Sequence, residues 1–298
     1  MNYIEKFNYD LNTSASIRFE SWKEYRAQIM SFIKIHVSKK VDRLLVIGCG
    51  SGNDLNLAEL KEWTKQLIIT DVDFISMNRS LDQYQMTEDQ VIIKRAEYSG
   101  FESIRFFDTF MKDVLEINDK ESLIAYLESK LNSLQDYRFL EEEFNHNDIV
   151  IISPLFTQLA YSQVSDYCEM LLNLHYSPVL TKVIKDTLID MMPNIIDRFN
   201  QNVLDFLKKD GQLIVLSDIF EYSIPSIFGS QIERNISYPD KMNAIYDKYK
   251  EKYGMGLGDY GLWSLEQISK KNREAWLIWP FDEKRKFAVK AVSFKINK

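Results

Sequence analysis

A chain of 298 residues with 45% hydrophobic side chains can bury one large core. Its formal charge of -7 and isoelectric point near 5.2 argue against a general polyanion binder, because nonspecific nucleic-acid affinity comes from clustered Lys and Arg. Cys49 and Cys168 lack metal or redox spacing, which predicts no metal site, no disulfide framework and a reducing cytoplasm; Glu5 and Asp10 interrupt any signal-peptide run, and no stretch is apolar enough for a membrane span.

In chain order, residues 14–36 read as an amphipathic helix, with Ile17, Trp22, Tyr25, Ile29, Phe32 and Ile33 near helical spacing and Ser14 or Ser16 available as a cap. Arg18, Trp22 and Tyr25 on it are candidates for a lid. Leu44-Leu45-Val46-Ile47 then reads as a strand buried on both faces, and Gly48, Gly50 and Gly52 allow a tight turn that brings backbone close to a ligand. A helix is expected over 53–63, a second buried strand ending at Asp71, a short helix over 74–83, and a third strand at Val91-Ile92-Ile93. Residues 103–117 fit a helix or a strand and turn, and 121–143 form a charged helical stretch.

Asp148 to Ile152 is a fourth strand closed by Ser153-Pro154, where the missing proline N–H ends the ladder. Two helices are expected over 155–174 and 178–208, the second kinked or divided at Pro193, before a fifth strand over 212–217. Residues 219–263 lack a strong period and read as a long loop or lid. Ser264 to Gln267 has the form of a capping box opening a short helix, and the runs 276–279 and 287–294 read as a closing antiparallel hairpin. The whole is a Rossmann-like, doubly wound α/β sheet, mostly parallel, with helices on both faces. It is read as one domain with an N-terminal helical cap over 1–40 and a helical elaboration over 155–208.

Five strands alternating with helices and followed by a terminal hairpin resemble the class I S-adenosylmethionine-dependent methyltransferases. Gly48-Cys49-Gly50-Ser51-Gly52-Asn53-Asp54-Leu55, with Asp71 and Asp73 downstream, is similar to a bacterial subgroup whose glycine-rich loop runs into Asn-Asp-Leu. The resemblance implies S-adenosylmethionine as cofactor, Gly48, Gly50 and Gly52 under its methionine and ribose, and Asp71 on the ribose hydroxyls. It also implies Asp113, in Lys112-Asp113-Val114, at the adenine amino group. Ser153-Pro154-Leu155-Phe156 stands where amino-methylating members carry an Asp/Asn/Ser-Pro-Pro-aromatic signature. Val46 stands where the resemblance implies an acid, so either Asp54 or another residue replaces that contact or methionine recognition is altered.

Methyl transfer from a sulfonium needs alignment of donor and nucleophile more than a base. Where an acceptor proton must leave, His175, Tyr161 and Asp218 are the candidates, from their expected places near the ends of strands four and five. The expected reaction is O- or N-methylation of a small-molecule acceptor; protein acceptors stay open, and nucleic acid and membrane partners are not expected. The alternatives are a non-catalytic Rossmann-like binding or scaffolding protein, and a nicotinamide dehydrogenase, which Asn53 disfavours by breaking the Gly-x-Gly-x-x-Gly spacing.

Overall fold

The computed structural model describes residues 1–16, 18–37 and 39–296; Ile17 and the side chains of residues 14–16, including the caps expected of Ser14 and Ser16, lie outside the description. Seven strands form one sheet: β1 (Val41–Ile47), β2 (Thr64–Asp71), β3 (Val91–Arg95), β4 (Asn147–Ile152), β5 (Leu207–Ser223), β6 (Lys270–Trp279) and β7 (Arg285–Lys295). Their order is β3-β2-β1-β4-β5-β7-β6. The pairs among β1 to β5 are parallel, and β7 runs antiparallel to both β5 and β6, so six strands share a direction and one opposes them. This is the Rossmann-like sheet with a terminal hairpin expected from the sequence.

Alternation within the strands divides the core. Leu45, Ile47, Ile68, Val150, Ile152, Leu213 and Val215 face one layer, while Leu44, Val46, Leu67, Ile69, Ile151, Ile214 and Leu216 face the other. The first layer packs under α5 (Phe106–Leu115), α6 (Lys120–Asn132), α7 (Tyr161–Asn173) and α8 (Pro178–Asp205). The second packs under α2 (Lys23–Lys34), α3 (Leu57–Trp63) and α4 (Phe74–Gln83). Helix α1 (Tyr3–Ser16) crosses the carboxyl edge of the sheet.

Several boundaries differ from expectation. The helix expected over 14–36 divides into α1 and α2, separated by turns over 18–22. Helix α3 starts at Leu57, because Asn56 caps it by accepting the Glu59 N–H at 3.1 Å and the loop extends through Leu55. Pro193 lies inside a continuous α8. The segment read as a loop over 219–263 instead carries the end of β5, then α9 (Ile227–Asn235), α10 (Pro239–Tyr253) and most of α11 (Leu257–Ile268). Ile232, Met242 and Tyr246 bury against Phe220, Tyr222 and Trp276 on the extended β5–β7–β6 corner, and that tertiary support outweighs the weak local period. Ser264 is therefore mid-helix rather than a cap, and its hydroxyl donates to Asp197 Oδ1 at 2.5 Å.

Gly261 shows why glycines recur in α11. A Cβ there would stand 2.5 to 2.6 Å from three ring atoms of the fully buried Phe156, so the helix comes this close only without a side chain. Replacing Gly261 with Ala is expected to lower the unfolding free energy by about 1–3 kcal/mol through overpacking. Urea denaturation measures this, and a midpoint equal to that of the unsubstituted protein would mean that the Phe156 ring yields without cost.

Candidate functional site

Parallel strands deliver their following loops to one edge, so the segments after β1, β2, β3 and β4 converge there. Between them lies a cavity bounded by Gly48 to Ser51, Asp71-Val72, Glu97 to Ser99 and Ser153 to Leu155. Ile4, Asn8, Leu11 and Asn12 of α1 form its roof. Because β6 runs parallel to β5, its end places Trp279 and Phe281 on the same rim, beside Arg18 and Trp22.

The glycine loop is held by the acid that ends β2. Asp71 Oδ2 accepts the Gly50 N–H at 2.8 Å, and its Oδ1 accepts the Asp73 N–H at 2.9 Å. Burial pushes the Asp71 carboxyl up to about 6, against the lowering effect of those N–H donors. Asp73 serves the scaffold: Oδ1 caps α4 through the Ser76 N–H at 3.0 Å, and Oδ2 accepts Asn12 Nδ2 at 2.9 Å, which ties the roof to the sheet edge. Gly50 adopts φ +51°, and a Cβ there would meet Asn12 Oδ1 at 2.7 Å, so a side chain would carry a backbone cost and push Asn12 of the roof aside.

Asp54 also lines the cavity. Its Oδ1 is buried without a hydrogen-bond partner, and burial raises its carboxyl to about 7, with Arg26 opposing and nearby Asp218 adding to the rise. No ion pair with Asp54 forms among the described residues: the Arg26 guanidinium donates instead to the carbonyls of Phe19 and Asn53, at 3.1 and 2.9 Å. Val46 itself is fully buried in the sheet and faces α2 and α3, so it cannot do what an acid there would do.

Of the sequence-derived cofactor residues, Gly48, Gly50, Asp54, Asp71 and Ser153 border this cavity. Gly52 does not: it packs on Ser80 and Leu57, and its carbonyl accepts the Tyr84 hydroxyl at 2.9 Å. Asp113 is a clear departure. It lies two turns into α5, half-exposed, where it accepts the Tyr126 hydroxyl at 3.0 Å and neighbours Lys130 at 3.9 Å. The loop that directly follows β3 stands in the expected place of Asp113. There Glu97 is buried, with Oε1 accepting the Ser99 N–H at 2.7 Å and Oε2 the Gly100 N–H at 2.8 Å, and the Tyr98 hydroxyl accepts the Gly48 N–H at 3.0 Å. A carboxylate two residues beyond β3 was the sequence signal for this loop.

The candidate bases separate. His175 is exposed at the C-terminal end of α7, with φ +61°, and does not border the cavity. Tyr161 starts α7 partly buried, outside the cavity lining. Asp218 lies at a bulge in β5, with an unpartnered buried Oδ1 and a carboxyl pushed up to about 6, mainly by burial. In Ser153-Pro154-Leu155-Phe156, the first three residues reach the cavity while the Phe156 ring turns into the core against Phe199 and Gly261. The aromatic of that signature is therefore unavailable to a ligand. Arg18 and Trp22 line the cavity and Tyr25 lies behind them, its ring stacked on Trp279 at 5.6 Å.

No protein-family model matches the chain, and no curated protein matches it. Among solved structures, it is similar to the N-methyltransferase NodS from Bradyrhizobium japonicum, at 12% identity over 95% of this chain and 99% of that one, with a TM-score of 0.42. It is also similar to a SAM-dependent methyltransferase from Methanosarcina mazei (10% identity, 88% and 96% covered, TM-score 0.44) and to one from Aquifex aeolicus (10% identity, 93% of each chain, TM-score 0.42). Likenesses this distant carry no conclusion about reaction or substrate. No described helix is long and apolar enough to cross a membrane, and no cluster of His, Cys, Asp and Glu among the described residues could hold a metal.

The buried acids give the protein a measurable pH response. Asp54 is raised from 3.8 to about 7 in the folded state, so between about pH 4 and pH 7 the folded chain holds a proton that the unfolded chain has lost. Stability from this group is thus lost as pH rises through that window. Asp54→Asn is expected to gain in urea midpoint relative to the unsubstituted protein as pH rises from about 5 to about 8; a difference independent of pH would show that Asp54 titrates normally.

Proposed function

We propose that the chain is an S-adenosylmethionine-dependent methyltransferase acting on a small-molecule acceptor at oxygen or nitrogen. The observation that supports it best is the pairing, in one cavity, of the Asp71 carboxylate beside the glycine loop with the unpartnered Asp54 oxygen. Asp71 spends one N–H acceptance per oxygen and keeps lone pairs for ribose hydroxyls. Asp54 Oδ1 is a buried acceptor lacking a partner, and a methionine ammonium would satisfy it and draw the carboxyl into its charged form, where Val46 cannot. Val72 and Leu159 offer apolar surface for an adenine ring.

When bound, this cofactor supplies an electrophilic methyl on sulfur. The chain's contribution is to hold the acceptor in line with that carbon and keep water out. Ile4 and Leu11 of the roof and Trp22, Trp279 and Phe281 of the rim suit the second task, because they present apolar surface to the cavity. None of the three sequence-derived base candidates, His175, Tyr161 and Asp218, lines the cavity, and Asp218 touches the site only through its electrostatic effect on Asp54. The formal net charge of -7 favours a small acceptor over nucleic acid.

S-adenosylhomocysteine is expected to raise the melting temperature and NAD(H) to leave it unchanged. By calorimetry, Asp71→Ala should weaken S-adenosylhomocysteine about tenfold or more, while Asp73→Ala, which removes a helix cap, should lower the melting temperature with little change in Kd. No response to S-adenosylhomocysteine in folded, ligand-free protein would refute the reading, and equal Kd changes would reassign the ribose acid.

A further inference from the structure

The cavity has a second wall, formed by Arg18, Trp22, Trp279 and Phe281. Arg18 is the one Lys, Arg or His among the described residues that line the cavity, against three acids, Asp54, Asp71 and Glu97. Its guanidinium lies over the Phe281 ring, 4.7 Å from the centroid. Two neighbouring arginines are already engaged. Arg285 lies 4.9 Å over the same ring but pairs with Asp282 at 2.8 Å, and Arg26 lies 3.9 Å over Phe19 but donates to the carbonyls of Phe19 and Asn53. No carboxylate among the described residues pairs with Arg18, whose backbone carbonyl alone is engaged, by the Ser21 hydroxyl at 2.8 Å and the Trp22 N–H at 3.0 Å.

The indoles point to the same chemistry. Trp22 is 3% exposed and Trp279 7%, both line the cavity, and each keeps a buried Nε1–H without an acceptor. Guanidinium and indole groups donate hydrogen bonds and accept none, so the polar groups of this wall are donors alone. A buried donor without an acceptor costs free energy until a ligand supplies one. The planar guanidinium fork matches a carboxylate, and the ring beneath Arg18 steadies it. The three acids of the same cavity repel a second negative charge, which favours a monoanion over a phosphate dianion.

We propose that this wall is a carboxylate seat, with the Arg18 guanidinium as the charge partner and the Trp22 and Trp279 indoles enclosing it. Two ligands of the methyltransferase reading above, on which the naming of the source rests, can carry that carboxylate. One is the cofactor, whose methionine end would place its ammonium on Asp54 and its carboxylate on Arg18, two side chains that line one cavity and do not pair with each other. The other is a methyl acceptor bearing an acid group. The chemistry at Arg18 is the same in both.

The test is calorimetry on the full chain with two ligand pairs, each differing at the carboxylate. The first pair is S-adenosylhomocysteine and its decarboxylated analogue S-adenosyl-3-thiopropylamine. The second is phenoxyacetate and phenoxyacetamide, titrated into free protein and into protein saturated with S-adenosylhomocysteine. In at least one pair the carboxylate ligand should bind about tenfold or more tightly than its partner, and Arg18→Gln should remove that preference while leaving the Kd of the carboxylate-free ligand unchanged. A preference for phenoxyacetate that persists with S-adenosylhomocysteine bound names the acceptor as the source; a preference confined to the first pair, or abolished by S-adenosylhomocysteine, names the cofactor. Equal binding within both pairs on the unsubstituted protein overturns the proposal without any variant, so a misfolded Arg18→Gln does not shelter it. A preference that survives Arg18→Gln in folded protein overturns the assignment to Arg18. Failure of both adenosyl ligands to bind refutes the methyltransferase reading instead, and the seat is then decided by the second pair on ligand-free protein.

Discussion

The carboxylate of Asp71 is the constraint on which the site depends. By accepting the N–H of Gly50 with one oxygen and that of Asp73 with the other, it joins the loop after β1 to the turn after β2. The two loops belong to neighbouring strands, so the sheet register Ile47 to Thr70 brings them within reach before any side chain acts. Asp73 extends the tie to Asn12 and hence to the roof of α1. A buried acid raised toward 6 has given up some solvation to do this, and the two backbone N–H groups hold it in one orientation.

The strands were legible because parallel strands buried on both faces appear in sequence as unbroken apolar runs, as at Leu44 to Ile47 and Leu67 to Ile69. The glycine loop and Asp71 were legible for a similar reason, since each needs particular residues at fixed spacing from a strand. What escaped was set by tertiary packing. Residues 219–263 carry little helical periodicity of their own, yet Ile232, Met242 and Tyr246 become helical by burying on Phe220 and Trp276. Asp113 matched a short pattern but its helix turns it toward Tyr126, whereas Glu97 occupies the loop after β3.

The rim was the least legible part. Trp22 and Trp279 are far apart in sequence, and nothing local says that the end of β6 returns to the edge where α2 begins. Only the reversal of β7 between β5 and β6 sends β6 back in the parallel sense and delivers Trp279 and Phe281 to the carboxyl edge. The same hairpin that marks the fold therefore also decides the chemistry of the second wall. Phe156 illustrates the converse: it directly follows the cavity-lining Ser153 to Leu155, but its ring packs in the core against Phe199 and Gly261.

The wall of the cavity runs from Ile4 to Phe281, so its parts come from near both ends of the described chain. Contacts of such sequence separation are costly to close early in folding, because loop entropy must be overcome before they reward the chain. The β1–β2 unit with its glycine loop, and the α1 roof tied to it by Asn12 and Asp73, can form from nearby segments, while the Trp279–Phe281 part of the rim can join only after β7 has inserted between β5 and β6. The aromatic side of the cavity, with Trp279 and Phe281, is thus complete only once the closing hairpin has been added, long after the glycine loop has been made.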